Sequence, residues 1–472
     1  MIISLYQCVS TRLQRAVSKV FSQIFTGFII AALGGVPALA QSLNEALVTT
    51  FETNSGLRMA QIEASQSVEN YNQVVAQTKL QVVGTLGLAR QNSNSETNGG
   101  AFIKANTTTG QLAFKQSLLQ GSLEGIPAGI RQALGLVNVA HAGYKASESA
   151  VLVETVGAYM DLLGDQETLG VAISGVAIAE RELEAALARR ESGRGTRTDV
   201  ALAEAGRAQA QANLGLAQAE VQVSRALFEQ AVGRAPEDLF DPGIPLLPAS
   251  LEVAVARALR DNPLFKAAEI NLALAEDAVL TTQAQYGMGI EALASASQSR
   301  VDAGSPFTSE TYSFGIQASI PLSTGGQRLS AIRAAEQGIA LAQANLNSQR
   351  TAVEAQVTAA WASAQAQFSS LNALNAVAQA RALVLQATRA EFDAGTSTFL
   401  AVQTAQQKYE ESQNQYLRAK SDAVVAAYTL ISAMGGMTSE RLGLAVSHFD
   451  TFDVLDQNRN LTYGEMLFGI AD

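Results

Sequence analysis

With 472 residues the chain is long enough for two or three ordinary domains. Hydrophobic residues make up 47% and charged residues 16%, yet past residue 40 no apolar run reaches the roughly 18 residues that a membrane helix needs. The formal net charge of -11 argues against a nucleic-acid partner, because phosphate backbones are bound through Lys and Arg. Such acidity suits a passage for cations and is equally common on soluble surfaces.

The first forty residues read as a secretory signal. Arg12, Arg15 and Lys19 precede an apolar stretch from Val20 to Leu33, and Pro37, Ala38, Leu39 and Ala40 end in a small-x-small cleavage site at Ala38 and Ala40. The alternative is an uncleaved anchor, for which the stretch is short. Cleavage after Ala40 removes Cys8, the single cysteine, and with it any disulfide, thiolate nucleophile or thiolate metal site.

An internal repeat organises the rest. Residues 42 to 91 align on the stretch from 250 at an offset of 208, with Asn54 on Asn262 and Leu57 on Phe265. Further along the offset becomes 202, with Tyr159 on Trp361, Gly193 on Gly395, Thr196 on Thr398 and Gly233 on Gly435. Residues 41–235 form the first repeat and 250–436 the second. Pro236, Pro242, Pro245 and Pro248 stiffen the 236–249 linker between them. No proline falls between Pro127 and Pro236 or after Pro321, and these tracts are rich in helix formers. Each is split by a glycine-bearing hairpin tip, residues 191–196 and 393–398. A helix from Pro127 to Arg190 would be roughly 95 Å long. After the first tip, Val200, Ala203, Arg207, Ala210, Leu214, Ala217, Val221, Ser224, Phe228 and Ala231 make a seam with 3-4 spacing, repeated 202 residues on from Val402 to Ala433. That period predicts coiled-coil packing, in a plain bundle or a larger assembly.

Between the helices the period changes to two. Leu80, Val82, Gly84, Leu86 and Leu88 alternate with Gln81, Val83, Thr85, Gly87 and Ala89; Leu112, Phe114 and Leu118 share one face. In the second copy Tyr286, Met288, Ile290, Ala292 and Ala294, and then Tyr312, Phe314, Ile316, Ala318 and Ile320, do the same. About ten residues is the length of a membrane strand. Residues 92–110 and 298–311 read as polar loops. Four strands cannot close a barrel, so if they span a membrane the protein oligomerises. Two soluble hairpins on a helical body are the alternative.

The pattern of two hairpin-plus-helix repeats resembles the TolC-like outer-membrane factor family over residues 42–436. Its most specific elements are the G-x-x-T-x-x-D-V tip at Gly193, Thr196, Asp199 and Val200, the partner tip at Gly395, Thr398 and Val402, and Ile320, Pro321, Leu322, Gly325 and Gly326 after the fourth strand. The resemblance implies an α+β membrane protein forming a homotrimer, with a 12-stranded β-barrel in the outer membrane and an α-helical barrel in the periplasm. Its partners would be a periplasmic adaptor protein, touching Gly193, Arg194, Gly395 and Thr396, and through it an inner-membrane pump of the RND or ABC class. Such a channel serves efflux or type I secretion. A periplasmic coiled-coil scaffold is the competing reading. At the periplasmic gate the chain departs from the family. Asp199 is retained, but Phe392 and Ser397 replace the tyrosine and arginine of the hydrogen-bonded lock, and Ala401 and Thr404 stand where acidic residues line the entrance.

No enzyme constellation is visible: no H-x-x-x-H, P-loop or G-x-S-x-G motif, and no cofactor is expected. His141 and His448 read as solvent-exposed and incidental. Asp456, Asn458, Asn460 and Glu465 are spaced too closely for a calcium loop. The tail, residues 437–472, has no legible role.

Overall fold

The computed structural model describes residues 41–94, 102–303 and 305–459. The cleavage residues Ala38 and Ala40 and the end of the tail lie outside them. The first repeat comprises α1 (Leu43–Thr53), α2 (Ser55–Gln77), β1 (Gln81–Asn94), β2 (Phe102–Gly121), α3 (Gly125–Glu191) and α4 (Arg197–Val232). The second repeats the order with α5 (Leu251–Asp261), α6 (Pro263–Gln285), β3 (Met288–Asp302), β4 (Pro306–Ser319), α7 (Gln327–Asp393) and α8 (Phe399–Ala433), and α9 (Thr451–Arg459) follows. Helices α3 and α7 each hold 67 residues, which is about 100 Å at 1.5 Å per residue.

Two asparagines join short helices end to end with long ones. Asn54 caps α2, its side-chain oxygen accepting from Leu57 N–H at 3.1 Å while its amide donates to the Ala231 carbonyl at the end of α4 (3.2 Å). Asn262 does the same one repeat later. It accepts from Leu264 and Phe265 N–H and donates to the Ala433 carbonyl of α8 at 3.1 Å. One side chain therefore satisfies an orphan donor of one helix and an orphan acceptor of the next. Pro263 occupies the first position of α6, where its missing N–H costs nothing. The 3-4 seam is the buried face of α4 and α8 at Val200, Ala203, Ala217, Ser224, Phe228 and Ala231 and at Val402, Ser412, Ala419, Ala423, Leu430 and Ala433; Arg207 is exposed.

The strands form one antiparallel sheet in the order β1-β2-β3-β4. They run 14, 20, 15 and 14 residues and extend through most of the polar segments expected to be loops. The register places Val82, Phe114, Ala294 and Phe314 in one row and Gly84, Leu112, Ala296 and Tyr312 in the next. One face thus carries Leu86, Leu88, Ile290, Tyr312, Phe314 and Ile316. The other carries Thr85, Gln111, Ser295, Ser297, Thr311, Ser313 and Gln317. A register shift between Ser117 and Leu119 bulges β2 near its base. Over residues 104–108 and 298–302 the first face is exposed and the second half-buried, so at this end of the strands the polar face is the concave one. The outer edges of β1 and β4 have no strand beside them in the described chain. At the neck between sheet and helices, Gly121 has φ +72°, and a Cβ there would lie 2.1 Å from Ala284 Cα; only glycine fits.

A collar of small elements surrounds the middle of the long helices. Leu43 and Leu47 of α1 pack on Leu152, Val156 and Met160 of α3, on Phe228 of α4 and on Val424 of α8. Ala254 and Ala258 of α5 pack on Val353 and Val357 of α7. The Tyr159 hydroxyl accepts from Phe240 N–H at 2.9 Å and lies 2.8 Å from the Gln41 carbonyl, pinning the linker to α3. Residues 437–459 belong to this collar. Met437 and Leu444 are buried in it, and Ser439 N–H donates to the fully buried Glu148 at 2.8 Å. His141 is correspondingly half-buried rather than free in solvent. Its Nδ1 lies 3.0 Å from Thr451 Oγ1, and burial holds its pKa below the ordinary value. His448 is exposed but bonds Ser439 Oγ at 3.1 Å. Asp456 and Asn458 sit on α9, and Asn460 and Glu465 lie outside the described residues.

Candidate functional site

The two hairpin tips form one end of the molecule. Helices α3 and α7 stop in the same way. Gly193 (φ +76°) donates to the Arg190 carbonyl and Arg194 N–H to that of Arg189; Gly395 (φ +79°) and Thr396 repeat this onto Phe392 and Glu391. This is the Schellman arrangement, and nothing lies within 4 Å of a Cβ added at either glycine, so glycine is needed for its backbone conformation alone. Thr196 and Thr398 then cap the returning helices. Gly193, Arg194, Gly395 and Thr396 are all exposed at the extreme of the hairpins.

The three gate residues of the sequence reading do not meet in one cluster. Asp199 is engaged by its own helix: its carboxylate accepts from Thr196 N–H at 2.9 Å while its N–H donates to Thr196 Oγ1 at 3.1 Å, a capping box. In the second tip Ala401 N–H still donates to Thr398 Oγ1, but alanine returns nothing. Phe392 packs instead on Phe399 (centroids 5.9 Å apart), with the Arg189 guanidinium 4.6 Å from its ring centroid. Phe399 is buried with Ala186, Val200 and Ala203, so an apolar contact ties α8 to the first hairpin. Ser397 is half-buried and makes no side-chain hydrogen bond among the described residues.

Just above lies a polar bridge that the sequence did not reveal. The Arg389 Nη2 of α7 reaches Glu182 of α3 at 3.3 Å and donates to Gln406 Oε1 of α8 at 2.8 Å. The Gln406 amide donates to Glu410 at 2.6 Å, and Gln403 donates to the Leu202 carbonyl of α4 at 3.1 Å. All four long helices meet here. Glu182 is half-buried and its pKa is raised; desolvation dominates, opposed by Arg389.

At the other end stands the sheet. Leu86 and Phe314 are 91% and 94% exposed on its convex face, so in a single chain a broad apolar surface faces outward uncovered. The concave face is lined by hydroxyls and amides, with Ser295 and Ser313 hydrogen-bonded across β3 and β4 at 2.8 Å. Among the described residues no helix is long and apolar enough to cross a membrane and no group of side chains could hold a metal ion.

An amphipathic β-sheet standing on two helices about 100 Å long, each turning back into a shorter antiparallel partner, defines the class of outer-membrane channel proteins. The chain belongs to the Outer membrane efflux protein family, whose model matches residues 47–234 and 254–436. It is 30% identical over 430 residues to the outer membrane efflux protein BepC of Brucella suis biovar 1, covering 88% of this chain and 90% of that one. It is also 24% identical over 316 residues to the alkaline protease secretion protein AprF of Pseudomonas aeruginosa, covering 65% and 66%. Among solved structures, the Campylobacter jejuni CmeC outer membrane channel superposes with a TM-score of 0.72 at 13% identity, covering 89% of this chain and 90% of that one. The Neisseria gonorrhoeae MtrE outer membrane channel superposes at 0.71 and 19%, covering 87% and 95%.

Proposed function

We propose that three copies of this chain close their sheets into a twelve-stranded barrel in the outer membrane. Their helices continue it as a tunnel through the periplasm, and the tips form the end at which an adaptor protein and an inner-membrane pump deliver cargo. The observation that supports this most is the sheet: it has two open edges, an apolar convex face and a polar concave one. Lipid tolerates no unpaired strand edge, so such a sheet is complete only when other strands close it. The likeness to BepC and AprF supports a role in efflux or in protein secretion.

In this reading the entrance is held by Phe399 seated among Ala186, Val200 and Ala203 and by Arg389 bridging Glu182 and Gln406. Asp199 serves its own helix, and Phe392 acts by packing. Ser397 lies beside this contact without adding a bond to it.

Arg194 and Thr396, exposed beside the two turn glycines, present the docking surface for the adaptor. Arg194→Glu with Thr396→Asp leaves both glycines in place and changes the presented charge. The double variant is expected to assemble in the outer membrane as trimers and to lose export. Normal export by a correctly assembled variant would move adaptor recognition away from the tips.

A further inference from the structure

On the concave face of the sheet the register places Gln81, Val83, Thr85, Gly87 and Ala89 of β1 beside Thr107, Thr109, Gln111, Ala113, Lys115 and Ser117 of β2. Next come Glu291, Leu293, Ser295, Ser297, Ser299 and Val301 of β3, then Phe307, Ser309, Thr311, Ser313, Gly315 and Gln317 of β4. Two of these residues are charged, one of each sign, and they face each other: Lys115 Nζ lies 2.9 Å from Glu291 Oε1. The other charges of the strands, Arg90, Lys104, Arg300, Asp302 and Glu310, fall on the convex face toward the far end.

An ion pair with side chains 53% and 35% exposed adds little to stability. What the pair does change is the charge of the wall. Without the lysine, each copy would bring one uncompensated carboxylate into an otherwise neutral, hydroxyl-lined surface; without the glutamate, one ammonium. The chain as a whole carries -11, so neutrality is a feature of this face and not of the molecule at large.

We propose that Lys115 and Glu291 cancel each other within the exit, so that the strand-built part of the channel passes cargo of either charge and any charge preference arises in the helical part. This rests on the trimeric barrel reading, in which the concave face is the lumen.

A single cysteine at Leu293 is the reporter. Leu293 is on the concave face, opposite Lys115 in the register and two residues from Glu291. It is labelled in outer-membrane vesicles at low salt with a cationic and an anionic methanethiosulfonate, and the ratio of the two rates is measured. The ratio cancels the thiolate fraction and reads the local potential. With a charge about 7 Å away and weak screening, Lys115→Gln should raise the cation-to-anion ratio about five-fold and Glu291→Gln should lower it about five-fold. The swap Lys115→Glu with Glu291→Lys, which keeps the pair, should stay within about two-fold of the parent, well below the single-variant effect. If both single variants also stay within that margin, the cancellation does not exist. Failure of the barrel reading has a different signature: cysteine at Ala294, on the convex face, would react with both charged reagents as fast as cysteine at Leu293.

Discussion

Glu182 is costly where it sits, since desolvation outweighs the pull of Arg389 and raises its pKa. A group whose pKa is higher in one state binds protons better in that state, so lowering the pH favours it. If opening the tips separates α3 from α7 and rehydrates Glu182, acid should hold the entrance shut. Channel conductance in planar bilayers is therefore expected to fall as the pH drops from the raised value toward the ordinary 4.5. Glu182→Gln should remove this dependence, while Arg389→Gln, which strands a half-buried carboxylate, should raise conductance at neutral pH. A wild-type conductance that rises on acidification would exclude the bridge as part of the gate. Asn262 permits a stability test. Alanine there loses a helix cap and leaves the Ala433 carbonyl unpaired, about 2–3 kcal/mol in sum. Serine keeps a cap acceptor for the α6 N–H groups without burying a charge against the Ala433 carbonyl, so its guanidinium unfolding midpoint in detergent should lie between those of alanine and wild type. A serine variant no more stable than alanine would remove the cap from the account. Asn54 and Asn262 align in the repeat, and both tips are marked in the sequence by their glycines. The Glu182–Arg389 bridge leaves no such mark, because its partners stand 207 residues apart in chemistry that any solvated helix face displays.

Among the elements, the long helices were legible because no proline follows Pro127 in α3, none occurs in α7, and glycine ends both; the observed ends, Glu191 and Asp393, fall at the expected tips. The strands were legible only where their two faces differ. Around Phe314 apolar and small or polar residues alternate, but from Thr107 to Thr109, and again near Ser299, both faces are polar and the period-two signal vanishes. Those stretches therefore read as loops although they pair in the sheet. The tail was illegible for another reason. Its anchors are single buried contacts, such as Ser439 on Glu148, with no period at all. The face assignment is checked by cysteines at positions 314 to 317, one at a time, in outer membranes. A hydrophilic thiol reagent should label 315 and 317 readily and 314 and 316 poorly. Equal labelling at all four would exclude a lipid-facing convex side.

For the whole molecule, what matters is how the sheet ends. Four strands leave two open edges, and in a bilayer each unpaired backbone group costs several kcal/mol, far more than one chain's marginal stability can absorb. Under the proposed trimer, three copies would supply twelve strands and remove every edge. Successive N–H groups of an antiparallel strand point to opposite neighbours, and proline has none to offer. Ser313→Pro and Phe314→Pro, made separately in β4, therefore test whether its outer edge is paired. One of the two removes a bond to β3, and the other removes an N–H from the outer edge. A strand with a free edge tolerates proline on that side. If β4 meets β1 of a second copy, both variants should fail to give trimers that survive detergent on a gel, while circular dichroism still reports the long helices. If one variant assembles like wild type, the outer edge of β4 is unpaired and the barrel is not closed by this sheet.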